Sequence, residues 1–275
     1  GPADILAKPR TVDALRRLLA WARNEDAPVF VLGGGANILV ADSGIRGLVI
    51  DMGGLDDCRL DPTTGIMTAG AGLPVSDAAE FAAACGLSGL DFIYRMPGSV
   101  GGAVYMNARC YGSEIGDILV SVDYLDERLD ERTMVPERAS FKYKDTPFQA
   151  KPWIITSTRF RLSPGDPAAI LARMAELAAD RENKGHFAAP CAGSVFKNNH
   201  DFGQPSGKII DSLGLRGHRI GGAKVSDGHA NIFINTGKAS ARDMKTLIDH
   251  VHDRVLGELG FNQEPEVLLE GDWGG

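Results

Sequence analysis

Three consecutive glycines, Gly33-Gly34-Gly35, follow directly on an apolar run, Val29-Phe30-Val31-Leu32, and lead through Ala36-Asn37 into another, Ile38-Leu39-Val40. Each glycine costs about 1 kcal/mol of backbone entropy relative to alanine, so three in succession need a reason. A tight turn is one. The other is a ligand that several backbone N–H groups must approach with no side chain in the way, as a diphosphate requires. A second segment of the same kind, Pro97-Gly98-Ser99-Val100-Gly101-Gly102, lies well downstream. Pro97 fixes the backbone ahead of it and Ser99 adds a hydroxyl. Two such loops, Gly33–Asn37 and Pro97–Gly112, favour one extended dinucleotide-like ligand over two coincidental turns. Neither contains the Gly-Lys-Ser/Thr of a P-loop. The first runs into a strand rather than the helix that a Gly-x-Gly-x-x-Gly turn opens. The expected nucleotide site is therefore not of the Rossmann type.

Glycine is abundant throughout, 34 among 275 residues, against roughly 7% in an average protein. The length predicts two or three units at roughly 150 residues each, and the reading adopted is 1–55, 56–165 and 166–275. The formal charge of −7 argues against nucleic acid as the main partner. No apolar run approaches the roughly 20 residues of a membrane span, and no signal peptide is recognisable. Cys58, Cys85, Cys110 and Cys191 are scattered without metal-ligand pairing. They read as reduced thiols of a cytoplasmic protein that holds no metal.

Helix signals are clear. Thr11 caps a helix with Leu15, Leu18, Leu19 and Ala22 on one face. A small-residue helix spans Ser76 to Cys85, closed by Gly86. Pro164-Gly165-Asp166-Pro167 reads as a linker, with Asp166 capping a helix that turns Ile170, Met174 and Leu177 inward. Ser240 and Asp243 form a capping box ahead of the stripe Met244, Leu247, Ile248, Val251 and Val255, and Gly260 ends that helix. His250 and His252 on it read as surface or packing residues. Strands are expected at Leu48–Ile50, Ile66–Ala69, Ile118–Leu125 and Trp153–Leu162.

Four motifs in order resemble the MurB-type reductases, the UDP-N-acetylenolpyruvoylglucosamine reductases of bacterial cell-wall synthesis. They are Val31–Val40, Pro97–Ala108, Ala192-Gly193-Ser194-Val195-Phe196-Lys197-Asn198 and Glu264-Pro265-Glu266-Val267. The resemblance covers nearly the whole chain and lacks the family's extreme N-terminal stretch. The short distance from Tyr143 to Ser194 is similar to the family's shorter type. It implies an α+β fold: a two-part FAD-binding region of the PCMH/vanillyl-alcohol-oxidase type, then a C-terminal α+β substrate-binding domain.

The implied reaction is reduction, by NADPH through non-covalently bound FAD, of the enolpyruvyl ether of UDP-N-acetylglucosamine to UDP-N-acetylmuramate, in peptidoglycan precursor synthesis. The implied cofactor contacts are Gly33, Gly34, Gly35, Ala36, Asn37, Ile38, Leu39, Pro97, Gly98, Ser99, Gly101, Gly102, Ala103 and Asn107. A carbanion or enolate develops beside the substrate carboxylate. It needs positioned donors or cations and a nearby acid. The resemblance assigns the acid to Ser194 and a second catalytic role to Glu266. Lys144, in Tyr143-Lys144-Asp145-Thr146, stands where the family carries arginine; it keeps the charge without the planar fork. Arg181, Lys184, Lys197, Asn198 and His229 are the implied substrate contacts. Two departures fall near the site: Arg109-Cys110 replaces a small pair in the second loop, and Leu268 replaces an arginine. Two alternatives share the scaffold. One is another FAD-dependent oxidoreductase, and the other is a flavin- or UDP-sugar-binding relative with impaired catalysis. A monomer or weak oligomer is expected.

Overall fold

The helix that Thr11 opens runs over Val12–Asn24, with the Thr11 side chain accepting from the Ala14 N–H and Leu15, Leu19 and Ala22 buried. This computed structural model describes every residue except His186 and Gly275. Contacts cluster into two units. The larger comprises Ile5–Gly35 and Gly47–Ala179, and the smaller Gly1–Asp4, Ala36–Arg46 and Asp180–Gly275. The chain passes between them four times: inside the strand Ala3–Ala7, the first glycine loop, the strand Ile45–Asp51 and the helix Pro167–Asn183.

In the larger unit, Val29–Leu32 pairs in parallel with the strand Ile45–Asp51, Val31 opposite Ile50. A five-stranded antiparallel sheet has the order Glu131–Met134, Leu119–Leu125, Ile154–Arg161, Ile66–Gly70, Cys58–Asp61. The helix Val75–Ala84 buries Ala78, Ala79, Ala82 and Ala83. Methyl-sized side chains let a helix backbone lie close to what it covers. Ile170, Met174 and Leu177 are buried as their spacing predicts, and the Asp166 carboxylate accepts from Ala168 and Ala169 N–H.

The second glycine segment is not a plain loop. Val100–Tyr105 is a short helix started by Ser99, whose hydroxyl accepts from the Gly102 N–H at 3.3 Å. After it, Arg109–Cys110 and Ser113–Glu114 form a two-residue hairpin around Tyr111 and Gly112, at φ 51° and 81°. Positive φ at both central positions is the turn that matches strand twist. Glycine richness alone masked both elements.

In the smaller unit a four-stranded antiparallel sheet has the order Cys191–Ser194, Ile232–Asn235, Ala223–Val225, Arg219–Ile220. The long helix Ala241–Leu259 buries Leu247, Ile248, Val251 and Val255 and ends at Gly260 with φ 71°. Its capping box is reinforced from far away in sequence. The Asp42 carboxylate accepts from Ala241 N–H at 2.7 Å and Arg242 N–H at 3.0 Å. Those two bonds hold the Asp42 carboxyl below its usual pKa. On the same helix, His250 stacks on His218 with ring centroids 4.6 Å apart, and His252 bonds to Asp253 and Asn262. Ile38–Val40, read as an apolar run after the glycines, pairs in parallel with Leu268–Glu270.

Candidate active site

In the larger unit the two glycine segments meet backbone to backbone. A Cβ on Gly34 would lie 2.5 Å from the Gly98 Cα, and one on Gly33 2.7 Å from the Ser99 Oγ. No carbon fits at those distances, so only glycine allows the approach. Gly98 adds φ 126° and Gly35 φ 65°, backbone that side chains disfavour. Val100 and Gly101 donate to the Leu73 and Ala71 carbonyls at 2.8 Å each. They anchor the segment, and Gly101 keeps clear of Ala71, whose Cβ a new methyl would meet at 2.9 Å. The product is a close junction of two glycine segments whose backbone carries few side chains, which suits a diphosphate. Ser99 and Ala103 are buried beside it.

Asn107 differs from its neighbours. It is 1% exposed and sits at φ 41°. Its Oδ1 accepts from the Gly116 N–H at 2.9 Å, and its Nδ2 donates to the Lys142 carbonyl at 3.0 Å. The amide therefore joins two pieces of protein. The Arg109 side chain lies 3.9 Å from Glu114, and the Cys110 thiol donates to the Phe92 carbonyl.

Lys144 occupies a tight hairpin. Lys142 and Asp145 exchange backbone bonds of 2.9 and 3.3 Å, and Lys144 between them has φ 57°. For a residue with a Cβ that costs about 1–3 kcal/mol and persists only where the surroundings dictate it.

In the smaller unit Ser194 ends a strand whose register slips between Cys191 and Ser194, next to Gly193 at φ 76°. Such a bulge re-aims a side chain. Beyond it the Glu266 N–H donates to the Val195 carbonyl at 2.7 Å, and Phe196 bridges Pro265. Backbone bonds thus bring the segments that carry Ser194 and Glu266, distant in sequence, side by side. Glu266 is buried. The Asn37 side chain donates to the Glu266 carbonyl at 2.9 Å, and the Asn37 carbonyl accepts from the Leu268 N–H at 3.0 Å. Ile38 and Leu39 continue this pairing opposite Leu268 and Leu269. Leu268, read as a lost cation, is a strand residue here.

Sequence reasoning missed Asn231. It is 3% exposed, accepts from the Phe196 N–H at 3.0 Å and donates to the Phe196 carbonyl at 2.8 Å. Its own carbonyl accepts from Val195 N–H. It holds the strand beyond Ser194 as a neighbouring strand would. The residue was visible beside His229, but its partner is remote in sequence.

The Asn231 N–H points at the His229 Nδ1, 3.3 Å away, which assigns the ring proton to Nε2. Burial, and then the charge of Arg216, hold the His229 pKa below its ordinary value, so the ring is neutral at neutral pH. Arg216 also donates to the Asp227 and Gly228 carbonyls. Arg181 is buried, and Lys184 pairs with Asp180. Lys197 pairs with Glu264, and the Asn198 Oδ1 accepts from the Ser206 N–H. Among the described residues no cluster of His, Cys, Asp or Glu could hold a metal.

The pattern of the C-terminal domain of UDP-N-acetylenolpyruvoylglucosamine reductase matches residues 185–269, and that of an FAD-binding domain matches residues 3–128. The reductase of a Synechococcus strain is 41% identical over 98% of this chain and 89% of its own length. That of Treponema denticola is 40% identical over 100% and 90%. That of Bacillus subtilis is 38% identical over 98% and 89%. The crystal structure of the reductase from Thermus caldophilus superposes with a TM-score of 0.77 at 33% identity, covering 95% of this chain and 90% of that one. The α+β class, with an FAD-binding region followed by a C-terminal domain, is thereby established.

Proposed function

The chain belongs to the UDP-N-acetylenolpyruvoylglucosamine reductase family, and on that premise we propose how its residues reduce the enolpyruvyl ether of UDP-N-acetylglucosamine to UDP-N-acetylmuramate. The backbone bond from the Glu266 N–H to the Val195 carbonyl, which joins the two motif segments, supports the reading. Gly33, Gly34, Gly35, Gly98, Ser99 and Gly102, with Ala36, Asn37, Pro97 and Ala103, would hold the diphosphate of FAD, because the two segments offer backbone N–H groups with few side chains in the way. Bound there, FAD supplies a two-electron relay between NADPH and the alkene.

Ser194 gives its hydroxyl proton to the inner carbon of the substrate once the outer carbon has taken hydride. A hydroxyl is a weak acid, so this works because an enolate carbon is strongly basic and the bulge holds the side chain still. Glu266 acts on the enolate or its carboxyl group. Lys144 offers the carboxylate a point charge in place of an arginine fork. Arg181, Lys184, Lys197, Asn198 and His229 meet the polar parts of the UDP-sugar, and neutral His229 donates through Nε2. Lys184 and Lys197 exchange Asp180 and Glu264 for phosphate oxygens at little cost, because exposed ion pairs are worth about 0–1 kcal/mol.

The three-part reading assigns 1–55 and 56–165 to flavin and 166–275 to substrate. We place the enzyme in the cytoplasm as a monomer or weak oligomer, supplying the precursors that cell shape and division draw on. The charge of −7 and the four free cysteines support that setting. Among the described residues no helix is long and apolar enough to cross a membrane.

Purified protein should be yellow and should oxidise NADPH only when the enolpyruvyl substrate is present. Absence of a flavin spectrum would sink the reading. Flavin turnover indifferent to that substrate would assign the scaffold to another oxidoreductase.

A further inference from the structure

We propose that Asn107 and Gln149 are positioning residues that lock the Lys144 hairpin onto the end of the second glycine segment. The proposal rests on the reading of Lys144 as the cation for the substrate carboxylate. Asn107 was expected among the flavin contacts, but both ends of its amide bond to protein. One end holds Gly116 and the other holds the Lys142 carbonyl, at the base of the hairpin.

A second brace grips the hairpin from its other side. The Gln149 Nε2 donates to the Lys144 carbonyl at 3.1 Å and to the Tyr105 carbonyl at 2.7 Å. Buried Thr146 donates to that same Tyr105 carbonyl at 2.9 Å. Tyr105 is the last residue of the helix that Ser99 begins. These ties lead back to the glycine segment.

The backbone explains why so many ties are needed. Lys144 and Asn107 both adopt left-handed φ, 57° and 41°. A side-chain-bearing residue leaves that region when its neighbours stop enforcing it. Relaxation of Lys144 would swing its side chain to a different direction, and displacement of a catalytic group by about 1 Å lowers rate roughly 100-fold. The ties keep Lys144 in its strained turn. An ammonium bonds in any orientation, unlike an arginine fork, so what the backbone must fix for Lys144 is the position of its charge rather than its rotation.

Three single variants and one double variant test this. Asn107→Gly permits the left-handed backbone while removing both amide bonds. Gln149→Leu removes the outer brace at an exposed position, where folding is not at risk. The readouts are flavin retained after gel filtration, flavin reduction by NADPH, and reoxidation of reduced flavin by the enolpyruvyl substrate, followed near 450 nm in rapid mixing. Both variants are expected to keep flavin, to keep NADPH reduction within about threefold, and to slow reoxidation roughly 10- to 100-fold. In a Lys144→Met background, adding Asn107→Gly should slow reoxidation less than about twofold further, because coupled residues are not additive.

Loss of flavin, or equal slowing of both half-reactions, would make Asn107 a cofactor ligand or a general packing residue and overturn the proposal. Full additivity with Lys144→Met would show that the braces do not act through Lys144 and also overturn it. If Lys144→Met alone leaves reoxidation unchanged, the reading of Lys144 has failed and takes the braces with it. That outcome is distinct from additivity, in which Lys144 matters but the braces do not serve it.

Discussion

The glycine junction of the larger unit and the joined Ser194 and Glu266 segments of the smaller one reach opposite ends by opposite means. The junction is made by removing side chains, so that Gly33 and Gly34 can touch Ser99 and Gly98. The pair is made by adding bonds. Asn231 grips both backbone groups of Phe196, Glu266 donates to Val195, and Asn37 donates to Glu266. A phosphate is recognised by many weak donors at once, and a bare backbone serves it. A proton transfer depends on one atom in one place, and that needs a frame of satisfied, buried polar groups.

The sharpest way to separate the two regions is Ser194→Ala. It should leave flavin bound and its reduction by NADPH intact, while reoxidation by the enolpyruvyl substrate falls by about 10²- to 10⁴-fold, the usual worth of a positioned acid. Unchanged reoxidation would mean that Ser194 is not the proton donor. Gly34→Ala is the converse break. Its methyl group would collide with the Gly98 backbone, and overpacking of that kind costs roughly 1–3 kcal/mol or more. Flavin affinity, titrated by fluorescence quenching, should drop by about 10- to 100-fold. Retention of wild-type affinity would show that the two loops need not touch.

Asn231→Leu tests the frame itself. Two backbone groups of Phe196 would lose buried partners at roughly 1–3 kcal/mol each, so the denaturation midpoint should fall clearly. Reoxidation should slow more than NADPH reduction does, and equal slowing would reduce Asn231 to a packing role. Asp42→Ala is the mildest change, worth about 0.5–1 kcal/mol at an exposed helix N-terminus. Backbone bonds hold the Asp42 pKa low in the folded state, so its contribution is present above its unfolded value, about 4. It disappears as pH falls through the lower folded value. Wild type and variant should therefore differ at pH 7 and converge in acid, as thermal melts at several pH values would show.

The junction was legible in the sequence because its cause is local. Consecutive glycines after a strand announce a close approach wherever the rest of the chain goes. Helix ends were legible for the same reason: Thr11, Asp166, Ser240 and Gly260 each act within a few residues. The short helix within the second segment was hidden, since Gly101 and Gly102 read as breakers until Ala71 and Ser99 are seen beside them. Motif resemblance named Ser194 and Glu266, but nothing in their spacing shows that backbone bonds join the two segments. Asn231, Asp42 and Gln149 all act on partners remote in sequence or on a turn whose shape is set by its surroundings. Leu268 read as a missing charge, and only the pairing with Ile38 shows the strand it serves.

That pairing has a consequence for synthesis on the ribosome. Ile38–Val40 leaves the exit tunnel early, yet its partner Leu268–Glu270 is made near the end of the sequence. Chain elongation runs at roughly 5–20 residues per second, so the early strand waits many seconds with its edge unpaired. During that interval the larger unit, whose last residue is Ala179, has all its residues in hand. That pairing therefore waits on Leu268–Glu270, and a nascent chain stalled ahead of Leu268 would hold the glycine segments of the larger unit while Ile38–Val40 still lacked this partner strand.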